Sequence, residues 1–313
     1  ELPSYAWDLL PGLDKYRSHN MHCFQYFKKS NKEDFSDVRS PYVALYTSLG
    51  CPYSCSFCMI NDIFGKHEVR CWSIETVIAW IDILVNTFNV KNIRFDDELF
   101  MLNPKRVDQF CNAVIERGWN DLNIWVYARI NTIKESLLEK MARAGITWIC
   151  FGIESGNEQV RKDVNKSIKV DIEKVVRLVQ AHGINVLGNY IFGLPEDTFG
   201  TMQQTLDLAK ELNCEFSNFY CLMAYPGSKL FKITKEQDLP ASWEGFSQHG
   251  YETTPLPTKH LSSKDVLFFR DTAFNEYFSD EKYLTMIEGK FGPVVKNYIT
   301  NMLKIKLKRR HLE

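Results

Sequence analysis

Three cysteines fall within eight residues, in Cys51-Pro-Tyr-Ser-Cys55-Ser-Phe-Cys58, a C-x3-C-x2-C spacing. A tight loop of this length can turn three thiolates toward one inorganic centre, and iron–sulfur clusters are commonly held by cysteine thiolates. Three protein ligands on a four-iron cluster leave one iron open, and an open position is where catalytic metal sites bind substrate. Zinc is the alternative, with Cys71, His67, His22 or Cys23 as a fourth ligand, although the second C-x2-C pair usual in zinc motifs is absent. Cys111, Cys150, Cys214 and Cys221 fall in apolar patterns and are expected in the core. An odd total of nine cysteines argues against a secreted disulfide framework and for a reducing, cytoplasmic setting.

Other chemistry-bearing residues sit where apolar runs end. Asp96, Asp97 and Glu98 close the run that begins at Asn92; they could serve a ligand or form a capping cluster. Arg129 closes the run Asn123–Ala128; its guanidinium could meet a ligand carboxylate or a protein acid. Glu154 and Ser155 close a run from Thr147, and a charge at the end of a buried strand needs a partner. Asn189, Ile191, Gly193 and Glu196 lie in Asn189-Tyr-Ile-Phe-Gly-Leu-Pro-Glu196; there Gly193 also reads as a turn glycine and Glu196 as a first-turn helix acid.

The elements that must position these residues alternate. Six apolar runs, Val43–Ser48, Asn92–Phe95, Asn123–Ala128, Thr147–Ile153, Asn185–Phe192 and Phe216–Met223, read as buried strands. Helical patterns separate them over Ile74–Phe88, Pro104–Arg117, Ile133–Ala144, Asp171–Ala181 and Thr198–Leu212, several followed by glycine. Repeated strand–helix units imply parallel strands joined by right-handed crossovers, in an α/β barrel or a doubly wound sheet. Either places functional loops at the carboxyl ends of the strands. Residues 1–40, with Trp7, Tyr16 and Tyr26, read as an arm packed on the main domain, 41–235 as the barrel, and 236–313 as a mainly helical extension. Within the extension Ser263–Phe278 and Pro293–Lys308 look helical. The final basic stretch (Lys296, Lys304, Lys306, Lys308, Arg309, Arg310) reads as a solvated face.

Composition narrows the classes further. The chain has 313 residues, 45% hydrophobic and 25% charged, as in ordinary globular proteins. Lys plus Arg is 38 against 39 Asp plus Glu, so no basic surplus favours nucleic acid. The longest uncharged run, Pro41–Asn61, holds three cysteines and two prolines and makes a poor bilayer helix. Glu1–Tyr16 lacks a basic region followed by an apolar core, so no signal peptide is expected there. Because the chain opens on Glu1 and closes on Leu312-Glu313, which resembles a cloning scar, material upstream is expected to be missing.

With aromatic Phe57 before the last cysteine, the triplet resembles the cluster motif of the radical S-adenosylmethionine (SAM) superfamily. The resemblance covers roughly residues 40–235. It implies a partial (β/α)6 TIM-like barrel, with Cys51, Cys55 and Cys58 as ligands of a [4Fe–4S] cluster whose unique iron is chelated by SAM. It further implies reductive cleavage of SAM to a 5′-deoxyadenosyl radical that abstracts hydrogen from a small-molecule or biosynthetic substrate, with electrons from a flavodoxin or ferredoxin. Residues at the positions of Phe57, Asp96, Asp97, Glu98, Arg129, Glu154, Ser155, Asn189, Ile191 and Gly193 contact SAM in such proteins. The usual Gly-Gly-Glu is replaced here by Asp96-Asp97-Glu98, and Asn189 stands for the first glycine of G-x-I-x-G-x-x-E. The arm Leu2–Leu10, Thr47–Tyr53, Gly152–Gly156, Phe192–Thr198 and Ala224-Tyr-Pro-Gly-Ser228 resemble the cobalamin-dependent group, some of whose members methylate unactivated carbons or rearrange and cyclise substrates. The chain has no D-x-H-x-x-G signature of a cobalamin domain. The competing class is a non-catalytic scaffold or sensor bearing a cluster or zinc.

Overall fold

Six parallel strands form an open half-barrel in the order β1-β4-β5-β6-β7-β8. They are β1 (Tyr42–Leu45), β4 (Asn92–Phe95), β5 (Asn123–Ala128), β6 (Ile146–Glu154), β7 (Asn185–Phe192) and β8 (Phe216–Cys221). A computed structural model describes residues 5–16, 21–29, 41–119 and 121–313. Leu2–Ser4, residues 30–40 and the Tyr26 side chain therefore lie outside the described residues. The strands read as apolar runs because helices cover one face and side chains fill the other, so neither face alternates.

The first apolar run does not form one strand. It divides after Leu45, and β2 (Ser48–Leu49) pairs antiparallel with β3 (Arg70–Cys71) in a separate ribbon. The cause is Asp97, whose carboxylate accepts hydrogen bonds from the Thr47 amide (2.6 Å), the Thr47 hydroxyl (2.6 Å) and the Ser48 hydroxyl (2.5 Å). These bonds bend the chain away from the sheet and start the cysteine loop.

Helices α1 (Phe24–Lys29) to α9 (Lys229–Ile233) follow in chain order: α2 (Ile60–Phe64), α3 (Ile74–Asn86), α4 (Pro104–Glu116), α5 (Glu135–Arg143), α6 (Glu158–Asp163), α7 (Ile172–Ala181) and α8 (Phe199–Leu212). The longer ones start at side-chain caps, Ser73 on the Thr76 amide, Asn103 on Arg106, Asp171 on Lys174 and Thr198 on Thr201. Each such cap contributes on the order of 1 kcal/mol. Their buried faces, for example Val77, Ile78, Ile81 and Leu84 of α3, join the sheet in the main core.

The amino ends of the strands are plugged. Phe24 of α1 packs edge-on against Trp148, Phe216 and Phe291, with centroids 5.6–6.3 Å apart. The arm also holds the sheet edge: the Tyr5 hydroxyl accepts from the Tyr46 amide (3.2 Å), and the Tyr42 amide donates to the Tyr16 carbonyl (3.2 Å).

Beyond β8 come α10 (Ser263–Phe278), α11 (Glu281–Phe291) and α12 (Pro293–Met302). The last helix stops at Met302, not Lys308, and the basic stretch is not uniformly solvated. Lys304, Lys306 and Lys308 are exposed, but the Arg309 side chain is about 1% exposed and pairs with Asp271 (3.0 Å). Reaching that partner requires an extended chain. No described helix is long and apolar enough to cross a membrane.

Candidate active site at the carboxyl ends of the strands

Cys51, Cys55 and Cys58 line one cavity of about 450 Å³, together with Phe57, Asp96, Glu98, Arg129, Glu154 and Lys166. The cysteine loop is fixed from two sides. The Ser56 amide donates to Val164 O (3.0 Å), and Ser56 O accepts from the Leu230 amide (2.9 Å). Its thiols are free, and burial pushes the Cys51 and Cys58 thiols up, against the opposing pull of Lys166 and, at Cys51, Arg129.

Arg129 sits at the end of β5 with its guanidinium 4.0 Å from the Tyr53 ring centroid. It donates to Ser167 O (3.0 Å) and lies 3.6 Å from the Cys55 sulfur. A cation stacked this way is positioned to stabilise negative charge on the sulfur side of the cavity.

Glu154 is built into the site by its backbone. It has φ +67°, a left-handed conformation rare outside glycine, and the β6–β7 register shifts between Gly152 and Glu154. Such a bulge re-aims a side chain, and strain of this kind collects at functional sites. The carboxylate, 8% exposed, meets Lys166 Nζ at 2.8 Å. Gly152 makes room for the pair: a Cβ there would come within 2.4 Å of the Glu154 carboxylate and 2.9 Å of Lys166 Nζ. The partner that a buried strand-end charge requires is thus Lys166, twelve residues on in an irregular segment with no local signal.

The three consecutive acids have different placements. Asp96 is held by Arg94 in a two-point ion pair (2.5 and 3.0 Å). Asp97 is fully buried and engaged by Thr47 and Ser48, and burial nevertheless raises its pKa. Glu98 accepts from the Gly50 amide (2.9 Å), is half-buried, and retains acceptor capacity toward the cavity. Of the three, Glu98 is therefore the acid best placed to receive a ligand's ammonium.

Ser155 and Gly193 are not among the residues lining the cysteine cavity. The Ser155 hydroxyl pairs with Thr205 (3.2 Å) and accepts from the Asn157 amide (3.1 Å). Gly193 has φ +84° and faces α10, where a Cβ would come within 2.5 Å of Val266. Asn189 and Ile191 face the barrel lumen, a second space of about 490 Å³ shared with Arg94, Trp125, Tyr127 and Tyr220. Asn189 donates to the Cys150 sulfur (2.9 Å) and accepts from Asn218 (2.9 Å). Ile191 also lines a third cavity with Phe57, Leu222, Met223, Tyr225 and Gln248.

The donor set suits a cluster better than zinc. The carbonyl of His22 accepts from Asn123, and Cys23 meets Asn92, so both lie by the amino ends of the strands, opposite the triplet. Cys71 pairs with Ser48 in the β2–β3 ribbon, and His67 is held by Asn61 (2.9 Å). Among the described residues no three His, Cys, Asp or Glu side chains converge as on a single metal ion.

Comparison with known proteins agrees with this geometry. The family model described as the radical SAM superfamily matches residues 45–209. An uncharacterized methyltransferase of Pyrococcus horikoshii is 28% identical over 97% of the chain and 62% of its own length. A bacteriochlorophyllide d C-12(1)-methyltransferase of Chlorobaculum tepidum is 26% identical over 82% of the chain and 58% of its own. The chain thus spans about three-fifths of these curated relatives. Among solved structures, the methyltransferase TsrM of Kitasatospora setae, with cobalamin and a [4Fe–4S] cluster bound, aligns with a TM-score of 0.56 at 21% identity, over 60% of this chain and 36% of that one. The cobalamin-dependent enzyme OxsB aligns with a TM-score of 0.56 at 15% identity, over 84% and 52%. These likenesses show the fold, and the family match, over more than half of the chain, covers the cysteine loop and strands β4 to β7: the chain belongs to the radical SAM superfamily.

Proposed function

We propose that this chain is the catalytic barrel of an enzyme that cleaves SAM reductively at the Cys51–Cys55–Cys58 site and uses the radical to modify an unactivated carbon. The observation that supports it is that three free thiols, Arg129, Glu98 and the Glu154–Lys166 pair line one cavity at the strand ends. When bound, a [4Fe–4S] cluster supplies the one electron that breaks the C5′–S bond of SAM, giving methionine and a 5′-deoxyadenosyl radical.

The residues divide the remaining work. Glu98 receives the methionyl ammonium, Glu154 with Lys166 faces the ribose and carboxylate side, and Phe57 and Ile191 border the space for adenine. Tyr127, Trp125 and Tyr220 wall the lumen beyond and exclude water from the reacting carbon, while Asn189, Asn218 and Arg94 offer it polar contacts. The hard chemistry belongs to the cofactor, so these residues act by positioning.

The substrate is proposed to be a small molecule that enters the lumen; the methyltransferase names of the relatives make carbon methylation the leading outcome, with cyclisation or rearrangement as the second. Cobalamin enters by resemblance, and no residue named above is assigned to it. The electron donor is proposed to be a flavodoxin or ferredoxin.

The test is product analysis. The anaerobically reconstituted, dithionite-reduced chain should convert SAM to 5′-deoxyadenosine, and Cys→Ala replacement at 51, 55 or 58 should abolish this. A wild-type chain that holds the cluster yet yields no 5′-deoxyadenosine would favour the scaffold or sensor class.

A further inference from the structure

β8 is one of the two edge strands of the half-barrel, since among the described residues it pairs with β7 alone. Edge strands present unpaired backbone groups, which native proteins cover. Here side chains from the carboxyl-terminal extension do the covering. Arg270 of α10 donates to Phe219 O (2.8 Å). Two residues further along, the Gln248 side chain accepts from the Cys221 amide (3.0 Å) and donates to Cys221 O (2.9 Å), as a neighbouring strand would.

β8 ends at Cys221, which with Tyr220 also lines the third cavity. That cavity, about 250 Å³, is lined by Phe57, Ile191, Leu222, Met223, Tyr225 and Gln248. It adjoins the cysteine-lined cavity at Phe57. At 250 Å³ it is below the roughly 300–1,000 Å³ of complete small-ligand sites, so it suits a ring system that is one end of a larger ligand. Gln248 also approaches the Tyr225 hydroxyl (3.4 Å), which in turn donates to Phe246 O (3.4 Å).

Gln248 sits on a loop that the chain's end clamps. The buried Arg309 guanidinium donates to both Asp271 oxygens (3.0 and 3.0 Å), Gln248 O (3.1 Å), Gly250 O (3.1 Å) and the Thr253 hydroxyl (2.8 Å). The Arg310 amide adds a bond to Tyr251 O (3.0 Å). Both oxygens of Asp271 and three groups of one short loop are thereby gathered on a single planar cation, which suits guanidinium and not ammonium geometry.

We propose that Gln248 is a positioning residue for the adenine end of SAM and that Arg309 is the clamp that holds it there. Through them the tail, outside the segment matched by the family model, shapes the cofactor site. The inference rests on the SAM reading given under Proposed function.

The experiment measures 5′-methylthioadenosine binding to the intact apo chain by titration calorimetry. A second titration follows the effect of L-methionine on the EPR spectrum of the reconstituted chain. Gln248→Leu and Arg309→Met should each raise the 5′-methylthioadenosine Kd about tenfold and Arg309→Lys by less, while the methionine response stays as in wild type. Hydrogen exchange at the Cys221 amide should quicken in Gln248→Leu and Arg309→Met. A merely structural role would weaken both ligands together, and that result overturns the proposal. Wild-type-like Kd values in folded variants overturn it too and leave the SAM reading intact. If wild type binds neither 5′-methylthioadenosine nor SAM, the SAM reading fails and the proposal with it. Should Arg309→Met not fold, half-buried Gln248 decides, because its replacement leaves the clamp in place.

Discussion

Replacing Lys166 by Met should destabilise the apo chain far more than replacing Lys166 and Glu154 together. The pair lies at 2.8 Å with side chains only 9% and 8% exposed, so water screens it little. Removing one member of a buried pair typically costs about 3–5 kcal/mol, because the remaining charge is uncompensated, whereas replacing both is often near neutral. At an unfolding entropy of roughly 2.1 cal/mol/K per residue, 313 residues convert that loss to about 5–8 °C in Tm. Lys166→Met should therefore lose about this much, and Glu154→Gln/Lys166→Met should recover most of it. The assay is urea and thermal unfolding of the apo forms followed by circular dichroism, with the coupling taken from a double-mutant cycle. Equal losses in the single and double variants would refute the reasoning, since the cavity wall would then depend on the Lys166 stem and not on charge. SAM binding should fall in both, because Glu154 loses its fixed orientation in one and its charge in the other.

His22 is fully buried, and burial lowers its pKa to about 3. The unfolded chain binds the proton near pH 6.5, so stability is present above that pH and declines as pH falls toward 3. At pH 5 the loss from this group is about 2 kcal/mol, and His22→Gln should flatten the difference in urea midpoints between pH 7 and pH 5 relative to wild type. Gly193→Ala should cost about 1–3 kcal/mol in urea unfolding, because the new Cβ meets Val266 at a φ of +84°. Single Cys→Ala changes at 51, 55 and 58 should alter apo stability by no more than about 0.5 kcal/mol while abolishing iron uptake; a collapse of the fold on losing one thiol would indicate a structural metal.

Much of the fold was legible because buried parallel strands appear as unbroken apolar runs, and all six begin within one residue of their expected start. One of them, Val43–Ser48, ends early: it breaks after Leu45, where Thr47 and Ser48 bond to Asp97 about fifty residues away, a contact that no local pattern encodes. The same holds at the site. The cysteine triplet is legible since its three thiols, which line one cavity, share one loop. Asp96 and Asp97 looked equivalent to Glu98 in sequence, yet Arg94 engages one and the cysteine loop's entry engages the other. Lys166 and Gln248 were invisible because each acts across the fold from irregular segments, on Glu154 and on the β8 edge. In the basic tail the solvated reading fails at Arg309 for a related reason: its half-buried carboxylate partner, Asp271, lies on α10, far away in sequence.

The central claim is an open iron site that SAM binds directly. The measurement is EPR of the anaerobically reconstituted and reduced chain, with and without SAM. A [4Fe–4S]+ signal whose g-values shift on SAM addition, and which is lost in Cys55→Ala, is the predicted result. A chain that takes up only zinc, or a cluster signal indifferent to SAM, would contradict the account.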